Sequence, residues 1–243
     1  MIGFITGANR GLGLEMVRLG LREGHKMLAA CRNTEAEKIQ ELAALQEQYP
    51  DNLEIFKMDV TDENQVQETA IQIQKKYGHV DFLVNNAGVL FEKMVMPGDC
   101  IADLDIAMLR STLEVNLVGV AIVCKYFINL LYQSESPWLI NITSEAGHLS
   151  PEGYNYLAYS VSKHGANMYT QKIRNFLEEE KKEKHIKTYM VHPGRMDTIM
   201  GKENAQIQPE ESAQGLYDIL SGRTGIPPMD VPFINYKGQP MPY

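Results

Sequence analysis

Short apolar runs alternate with longer amphipathic stretches along most of the chain. The apolar runs are typical of strands that are buried on both faces of a sheet. We predict seven strands, at residues 2–5, 26–31, 53–58, 80–84, 138–142, 188–191 and 231–234. The amphipathic stretches predict helices at residues 11–23, 35–48, 63–77 and 159–180. This alternation predicts an α/β fold in which helices cover a parallel sheet.

The chain contains no internal repeat and no linker long enough to divide it. A chain of 243 residues can bury about 70 to 75% of the surface of its unfolded form in one domain. We therefore predict a single domain over residues 1–243. The least periodic part follows the sixth strand, and we expect a short segment at about 195–220 to cover a ligand at the edge of the sheet.

Charge and composition exclude several classes of protein. The net charge of −8 would repel a nucleic-acid backbone, and no basic stripe offsets it. The three cysteines fit neither a zinc site nor a disulfide framework. No leader is recognisable, and the longest apolar stretch, 115–123, is too short to span a bilayer. We expect a soluble cytoplasmic protein that binds neither nucleic acid nor membrane.

A glycine-rich turn stands between the first strand and the first helix. Gly7, Gly11 and Gly13 would let backbone N–H groups approach a pyrophosphate at the helix N-terminus. Their spacing is G-x-x-x-G-x-G, not the more common G-x-G-x-x-G. The alternative is an ordinary glycine-rich turn.

The end of the second strand bears on which dinucleotide is bound. An acidic residue there would hold the ribose 2′-hydroxyl of NAD, but this chain has Arg32 and Asn33. Arg32, together with Arg10 in the glycine turn, supplies positive charge suited to a 2′-phosphate. NADP(H) is therefore favoured over NAD(H). The alternative is that both arginines are solvated surface charges.

Polar residues also follow the third and fourth strands. Asp59 and Val60 end the third, and Asn86, Ala87 and Gly88 end the fourth. In a parallel sheet these positions lie at the carboxyl edge, where a cofactor lies across adjacent strands. The run from Asp59 can equally be a helix N-cap, and the Asn-rich run can be a plain turn.

Tyr159 and Lys163 stand four residues apart on a predicted helix, so they share one face. A Tyr-x-x-x-Lys spacing is expected by chance about once in a chain of this composition. A surface helix with an unrelated Tyr and Lys is therefore the alternative. The pair indicates a functional site only because other motifs accompany it in the right order.

Several motifs together resemble the short-chain dehydrogenase/reductase family over nearly the whole chain. They are residues 6–13 and 85–88, Asn116, Ser144, Tyr159, Lys163 and Pro193-Gly194. The resemblance implies a Rossmann-type, doubly wound, parallel seven-stranded sheet in the order 3-2-1-4-5-6-7, within a three-layer α/β/α sandwich. It also implies a nicotinamide cofactor at the point where the strand order reverses.

Three shorter stretches resemble the C-factor and sniffer-like carbonyl reductase branch of that family. They are residues 9–15, 162–168 and 235–240. This branch implies NADPH-dependent carbonyl reduction, and C-factor proteins are also linked to cell-to-cell signalling. Arg195 and Met196 depart from the aromatic residue and valine usual in the branch, and Tyr154 and Tyr156 are further departures that bear on the substrate.

The resemblance implies a role for each member of the site. Tyr159 would be the general acid/base, its pKa lowered by about 1 to 3 units by the Lys163 ammonium, assisted by the positive nicotinamide of the oxidised cofactor. Ser144 would hydrogen-bond the substrate carbonyl, although a strand-end turn serine is its alternative. Asn116 would hold a water in a relay to Lys163. The implied cofactor contacts are Gly7, Asn9, Arg10, Gly11, Leu12, Arg32, Asn33, Asp59, Val60, Asn86, Ala87, Gly88, Tyr159, Lys163, Pro193, Gly194, Met196 and Thr198.

Three hypotheses remain, of which the first leads. The chain is an NADP(H)-dependent oxidoreductase acting on a small-molecule carbonyl or alcohol, an NADP(H)-binding sensor or C-factor-like signalling protein with little turnover, or a structural subunit. We expect no metal, and a homodimer or homotetramer that pairs through helices at about 111–131 and 159–179. His148 either lines the substrate pocket or is a plain loop residue.

Overall fold

Seven parallel strands form one sheet in the order β3-β2-β1-β4-β5-β6-β7. The computed structural model describes residues 1–92, 98–149, 153–201 and 205–243. The strands are β1 (Ile2–Thr6), β2 (Lys26–Cys31), β3 (Leu53–Lys57), β4 (Phe82–Asn85), β5 (Trp138–Ile142), β6 (Lys187–His192) and β7 (Phe233–Asn235). The predicted fold class and strand order are confirmed.

Helices connect the strands. They are α1 (Gly11–Arg22), α2 (Gln40–Gln48), α3 (Glu63–Tyr77), α4 (Ile106–Leu113), α5 (Gly119–Leu131), α6 (Leu157–Glu180) and α7 (Pro209–Leu220). Single 3₁₀ turns lie at Ala36–Lys38, Glu145–Gly147 and Lys182–Lys184, and a π-helical turn, Glu114–Val118, joins α4 to α5. The helix expected at 35–48 is thus divided in two, and the last predicted one begins at Leu157, two residues early.

Two apolar clusters cover opposite faces of the sheet, because neighbouring residues of a strand point to opposite sides. Ile5 and Met27 lie in the cluster that α1, α2 and α7 complete. Phe4 lies in the other cluster, with residues of α3 and α5, and its ring centroid is 4.2 Å from that of Phe127. Burial on both faces explains why the strands are continuous apolar runs, and it gives the three layers.

The helix that runs from Ile106 to Leu131 is the one described helix long and apolar enough to cross a membrane by length and composition. This apolar helix is therefore longer than the apolar stretch at 115–123 identified from the sequence. Its inner face supplies Val123 and Phe127 to the core, and core helices pass the same test, so this is weak evidence for a membrane. Val118 on this helix, and Val161 and Phe176 on α6, are exposed. The oligomeric state stays a prediction.

The strand order reverses between β1 and β4. The helices that follow these two strands lie on opposite faces of the sheet, so a crevice opens at their carboxyl ends. This edge of the sheet carries the glycine turn, Asn86 and the segments that follow β5 and β6.

Gly3→Ala is expected to lower the free energy of unfolding by about 1–3 kcal/mol. Gly3 pairs with Phe82 across β1 and β4, and a Cβ at Gly3 would overlap the Phe82 ring. That ring is fully buried and lies edge-on to Tyr217, so it has no room to move. Urea denaturation of both proteins measures the difference.

Gly225→Ala is the matched control for this substitution. No heavy atom lies within 4 Å of a Cβ built there, and the backbone is not left-handed. Stability should stay unchanged or rise by about 0.4–1 kcal/mol. A Gly3→Ala protein as stable as Gly225→Ala would contradict the prediction.

Candidate active site

The glycine turn after β1 brings the backbone close to the end of β4. Gly7 and Gly11 have left-handed φ angles of 65° and 53°, which glycine adopts at little cost. A Cβ at Gly7 would lie 2.9 Å from the Ala87 Cα, and one at Gly13 would crowd the Gly7 carbonyl oxygen. The spacing read from the sequence therefore reflects real close approaches.

The N-terminus of α1 offers backbone donors that its cap residue leaves uncapped. Its cap residue, Arg10, is extended and makes no side-chain capping bond. By contrast, Asp62 and Asp105 cap α3 and α4 through their carboxylates. The uncapped amides and the positive end of the helix dipole suit an anion. These features fit the pyrophosphate of a dinucleotide.

Asn86 and Thr6 fasten β4 to the glycine turn. Asn86 Nδ2 donates to the carbonyl oxygens of Thr6 and Gly7 at 2.9 and 3.1 Å. Thr6 Oγ1 accepts from the backbone N–H groups of Asn86 and Ala87, both at 3.0 Å. Sequence reasoning did not assign Thr6 to the site. The position of Thr6 directly before Gly7, at the start of the glycine turn, is the sequence feature that could have indicated it.

The predicted arginines flank this turn. Arg10 and Arg32 are both exposed, and neither forms an ion pair with another side chain in the described ranges. Asn9 and Asn33 instead bond locally, Asn9 to the Lys38 carbonyl and Asn33 to the Glu35 amide. The two guanidinium groups are thus available to a bound anion.

Asp59 and Val60 divide their roles at the end of β3. Asp59 Oδ1 accepts from the Thr61 N–H at 3.0 Å and from its hydroxyl at 2.8 Å. The cap of α3 is Asp62, not Asp59. Val60 is buried and lines a small cavity with Ala87 and other residues. Asp59 therefore braces the turn that places Val60 beside the glycine region.

The segment after β6 folds back onto the glycine turn. Gly194 has a φ of 85°, and a Cβ there would lie 2.6 Å from Ile207 Cδ1. Met196 pairs with Ile207, and the Thr198 methyl lies 3.4 Å from the Cβ position of Gly11. Of the covering segment expected at about 195–220, residues 202–204 lie outside the described residues, and the part from Pro209 is α7, a core helix.

Ser144, Tyr159 and Lys163 converge beyond β5. Ser144 follows the strand and caps the next turn, and its hydroxyl lies beside the Tyr159 phenol. Lys163 Nζ donates to the Ile142 carbonyl at 2.9 Å and lies 5.7 Å from the centroid of the Tyr159 ring. Since α6 begins at Leu157, Tyr159 is in its first turn and Lys163 one turn later on the same face. The predicted set is therefore assembled.

Burial governs the acidity of both groups. Burial raises the pKa of Tyr159 to about 12, although the hydrogen bond from Ser144 opposes this. Burial also lowers the pKa of Lys163 to about 8. In the protein by itself the pKa of Tyr159 is therefore raised, and its predicted fall, which includes the charge of an oxidised nicotinamide, stays a prediction. Desolvation of the phenolate outweighs an ammonium whose own charge is disfavoured by the same burial.

Asn116 lies in the π-helical turn between α4 and α5. Its side chain is fully buried. Nδ2 donates to the Val89 carbonyl and to Ser162 Oγ at 2.9 and 3.0 Å, and Oδ1 accepts from the Val89 N–H at 2.8 Å. A Cβ atom built on Gly88 would lie 3.3 Å from Asn116 Oδ1 and 3.5 Å from Lys163 Nζ. The two side chains therefore approach the same spot beside Gly88.

An ion pair closes the edge of the site beside Ser144. Arg195 donates to the Glu145 carboxylate, joining the loop after β5 to the segment after β6. Burial acts to raise the pKa of Glu145, but the hydrogen bond from Arg195 holds it below its ordinary value. His148 bonds the Glu145 carbonyl within its own loop. The departure from the family pattern at Arg195 thus has a partner one residue from Ser144.

Glu92 is a further residue of the site that no pattern in the sequence indicates. Its buried carboxylate accepts from the backbone N–H groups of Ala158 and Tyr159. The contact joins residues 66 and 67 positions apart, and no spacing rule covers such a distance.

Comparison with known proteins agrees with this geometry. The family model for short chain dehydrogenase matches residues 2–209. The short chain dehydrogenase pigC of Monascus ruber is 34% identical over 203 residues, which cover 82% of this chain and 63% of pigC. The chain therefore spans somewhat less than two thirds of that relative's length.

Two solved structures share the fold almost from end to end. The NADPH bound carbonyl reductase from chicken fatty liver matches with a TM-score of 0.84 at 25% identity, over 99% of this chain and 98% of the other. Carbonyl reductase Sniffer of D. melanogaster matches with a TM-score of 0.87 at 25% identity, over the same shares. The likeness to sniffer-like reductases is confirmed. Since the family model covers most of its length, the chain belongs to the short-chain dehydrogenase/reductase family of oxidoreductases.

Proposed function

We propose that the protein is an NADP(H)-dependent carbonyl reductase in which Tyr159 is the general acid/base. The observation that carries this is the convergence of Ser144, Tyr159 and Lys163 at the same sheet edge as the glycine turn. Its substrate is a small-molecule carbonyl, or the alcohol in the reverse direction. The two carbonyl reductases of similar structure support the reaction class.

Different residues around the crevice would hold different parts of the cofactor. The amides at the start of α1 would bind the pyrophosphate, and Arg10 and Arg32 the 2′-phosphate. Met196 would contact the nicotinamide, and the loop of Pro193, Gly194 and Thr198 would bind the carboxamide and the pyrophosphate through its backbone and the Thr198 hydroxyl. The cofactor supplies the hydride that reduces the carbonyl carbon. NADPH as its form is supported by the two exposed arginines and by the NADPH-bound relative.

Tyr159 would supply the proton in reduction. A phenol with a pKa near 12 is protonated at neutral pH, so it is in the donor form. Its O–H bond breaks as the carbonyl oxygen gains the proton and the carbonyl carbon gains the hydride. The ammonium of Lys163 and the hydroxyl of Ser144 would stabilise the phenolate that is left. Solvent would return the proton through the space beside Gly88, which Asn116 and Lys163 both approach.

Tyr159→Phe is expected to lower kcat/KM by about 10²- to 10⁴-fold, because it removes the proton donor. The measurement is NADPH oxidation with a panel of aldehydes and ketones. Tyr132→Phe, at the far end of α5, is the control and should keep its activity. Full activity in Tyr159→Phe would contradict the proposed role of Tyr159 as proton donor. Tight NADPH binding by the unaltered protein, with no turnover on the panel, would favour a sensor instead.

Arg32→Ala is expected to weaken NADPH binding about 10-fold, because a charge-assisted bond to the 2′-phosphate is lost. NADH binding should not change. Calorimetry with both nucleotides measures this, and Arg22→Ala, an exposed arginine at the other end of α1, is the control. Equal loss for the two nucleotides would contradict a 2′-phosphate contact.

The kcat/KM for NADPH is expected to fall as pH rises through about 8. This ratio reports groups of the free enzyme, and Lys163, with a pKa lowered to about 8, is an ammonium below that pH and neutral above it. Lys163→Arg should remove the alkaline fall, because a guanidinium stays charged. A profile in the unaltered enzyme that stays level well above pH 8 would show that Lys163 is not the group.

A further inference from the structure

Glu92 places a carboxylate at the N-terminus of the helix that carries Tyr159. It lies in the loop after β4, six positions beyond Asn86. Its side chain is only 7% exposed. Oε1 accepts from the Ala158 N–H at 2.9 Å, and Oε2 accepts from the Tyr159 N–H at 2.8 Å. Both oxygens are therefore engaged with the first turn of α6.

This contact replaces a local helix cap. Helix caps are normally Asp, Asn, Ser or Thr directly before the helix, as Asp62 and Asp105 are for α3 and α4. The residue before α6 is Tyr156, in a left-handed conformation with φ of 57°. A tyrosine is a poor cap, and the first turn contains no acidic residue. The acceptor comes from the other side of the cleft instead.

The loop that carries Glu92 is itself fixed at two further points. Asn86 is bonded to the glycine turn through Thr6. Val89 is bonded through both its N–H and its carbonyl to Asn116. The stretch from Asn86 to Glu92 therefore contacts the glycine turn, the π-helical turn and the start of α6 in succession. A shift of the helix start relative to the other two would break one of these bonds.

We propose that Glu92 is a positioning residue for Tyr159. By holding the Tyr159 amide, it fixes where the phenol lies relative to the glycine turn, and so to the carbonyl that is reduced. The inference rests on the proposed role of Tyr159 as proton donor. It predicts that Glu92 affects the chemical step and leaves the nucleotide site intact.

Glu92→Gln is the main test, because the side chain keeps its length and one acceptor oxygen. Its NH₂ group would face one of the two amide N–H groups, so one bond is replaced by a contact between donors. We expect kcat to fall about 10- to 100-fold, which a misplacement of about 1 Å produces. The KM for the carbonyl and the Kd for NADPH should stay within about twofold, since the groups that bind them are unchanged.

Asp105→Ala is the matched control. It removes a carboxylate that caps α4 through the Ala107 and Met108 amides at 2.9 and 3.1 Å, and it belongs to no part of the site. A lost cap should lower Tm in both variants, but only Glu92→Gln should lower kcat. Glu92→Asp, which keeps the charge and shortens the arm, should recover part of the lost kcat and serves if the Gln variant does not fold.

A double variant separates this proposal from the one it rests on. If Glu92 acts through the phenol, adding Glu92→Gln to Tyr159→Phe should reduce kcat little further. If Tyr159→Phe is inactive while Glu92→Gln keeps full kcat, the positioning role is wrong and the proton-donor role stands. If Tyr159→Phe keeps full activity, the proton-donor role itself is wrong. A fall in NADPH affinity as large as the fall in kcat would also overturn the positioning role.

Discussion

The common direction of the seven strands is the constraint on which the site depends. Every strand of a parallel sheet ends at the same edge, and the reversal of order between β1 and β4 opens that edge into a crevice. Residues far apart in sequence, such as Gly7, Asn86 and Ser144, reach the crevice because each follows a strand. The hydrogen bonds among Thr6, Asn86 and Ala87 then hold the two central strands in register at this point.

Burial gives the site its electrostatic character. The same desolvation that raises the pKa of Tyr159 lowers that of Lys163. Both shifts are toward the neutral form, but Lys163, with a pKa of about 8, is still an ammonium at neutral pH. Such a pair is poised to respond to charge brought by a ligand, because added positive charge would favour phenolate and added negative charge would favour ammonium. Glu145, although paired with Arg195 at the rim, also acts to raise the pKa of Tyr159 through its negative charge.

Much of the fold could be predicted from the sequence, because strands buried on both faces are continuous apolar runs and glycines mark the turn. The order of motifs also indicated Ser144, Tyr159 and Lys163 as one site. What the sequence could not predict depends on tertiary contact. The pKa of Tyr159 follows from how much protein surrounds it, and Glu92 meets the Tyr159 amide across a loop closure of 67 residues. Neither leaves a periodic trace in the chain.

The π-helical turn at Glu114–Val118 has a consequence for how the chain tolerates change in length. A π turn closes after five residues where an α turn closes after four, so it covers about the same rotation as four α-helical residues of about 100° each. Deleting one residue there would restore a regular helix and leave the segments on either side in nearly the same angular phase. Val123 and Phe127 would stay in the core, but the local bulge that presents Asn116 to Val89 would be lost. The turn therefore accommodates one additional residue at the site without rotating α5 away from the core.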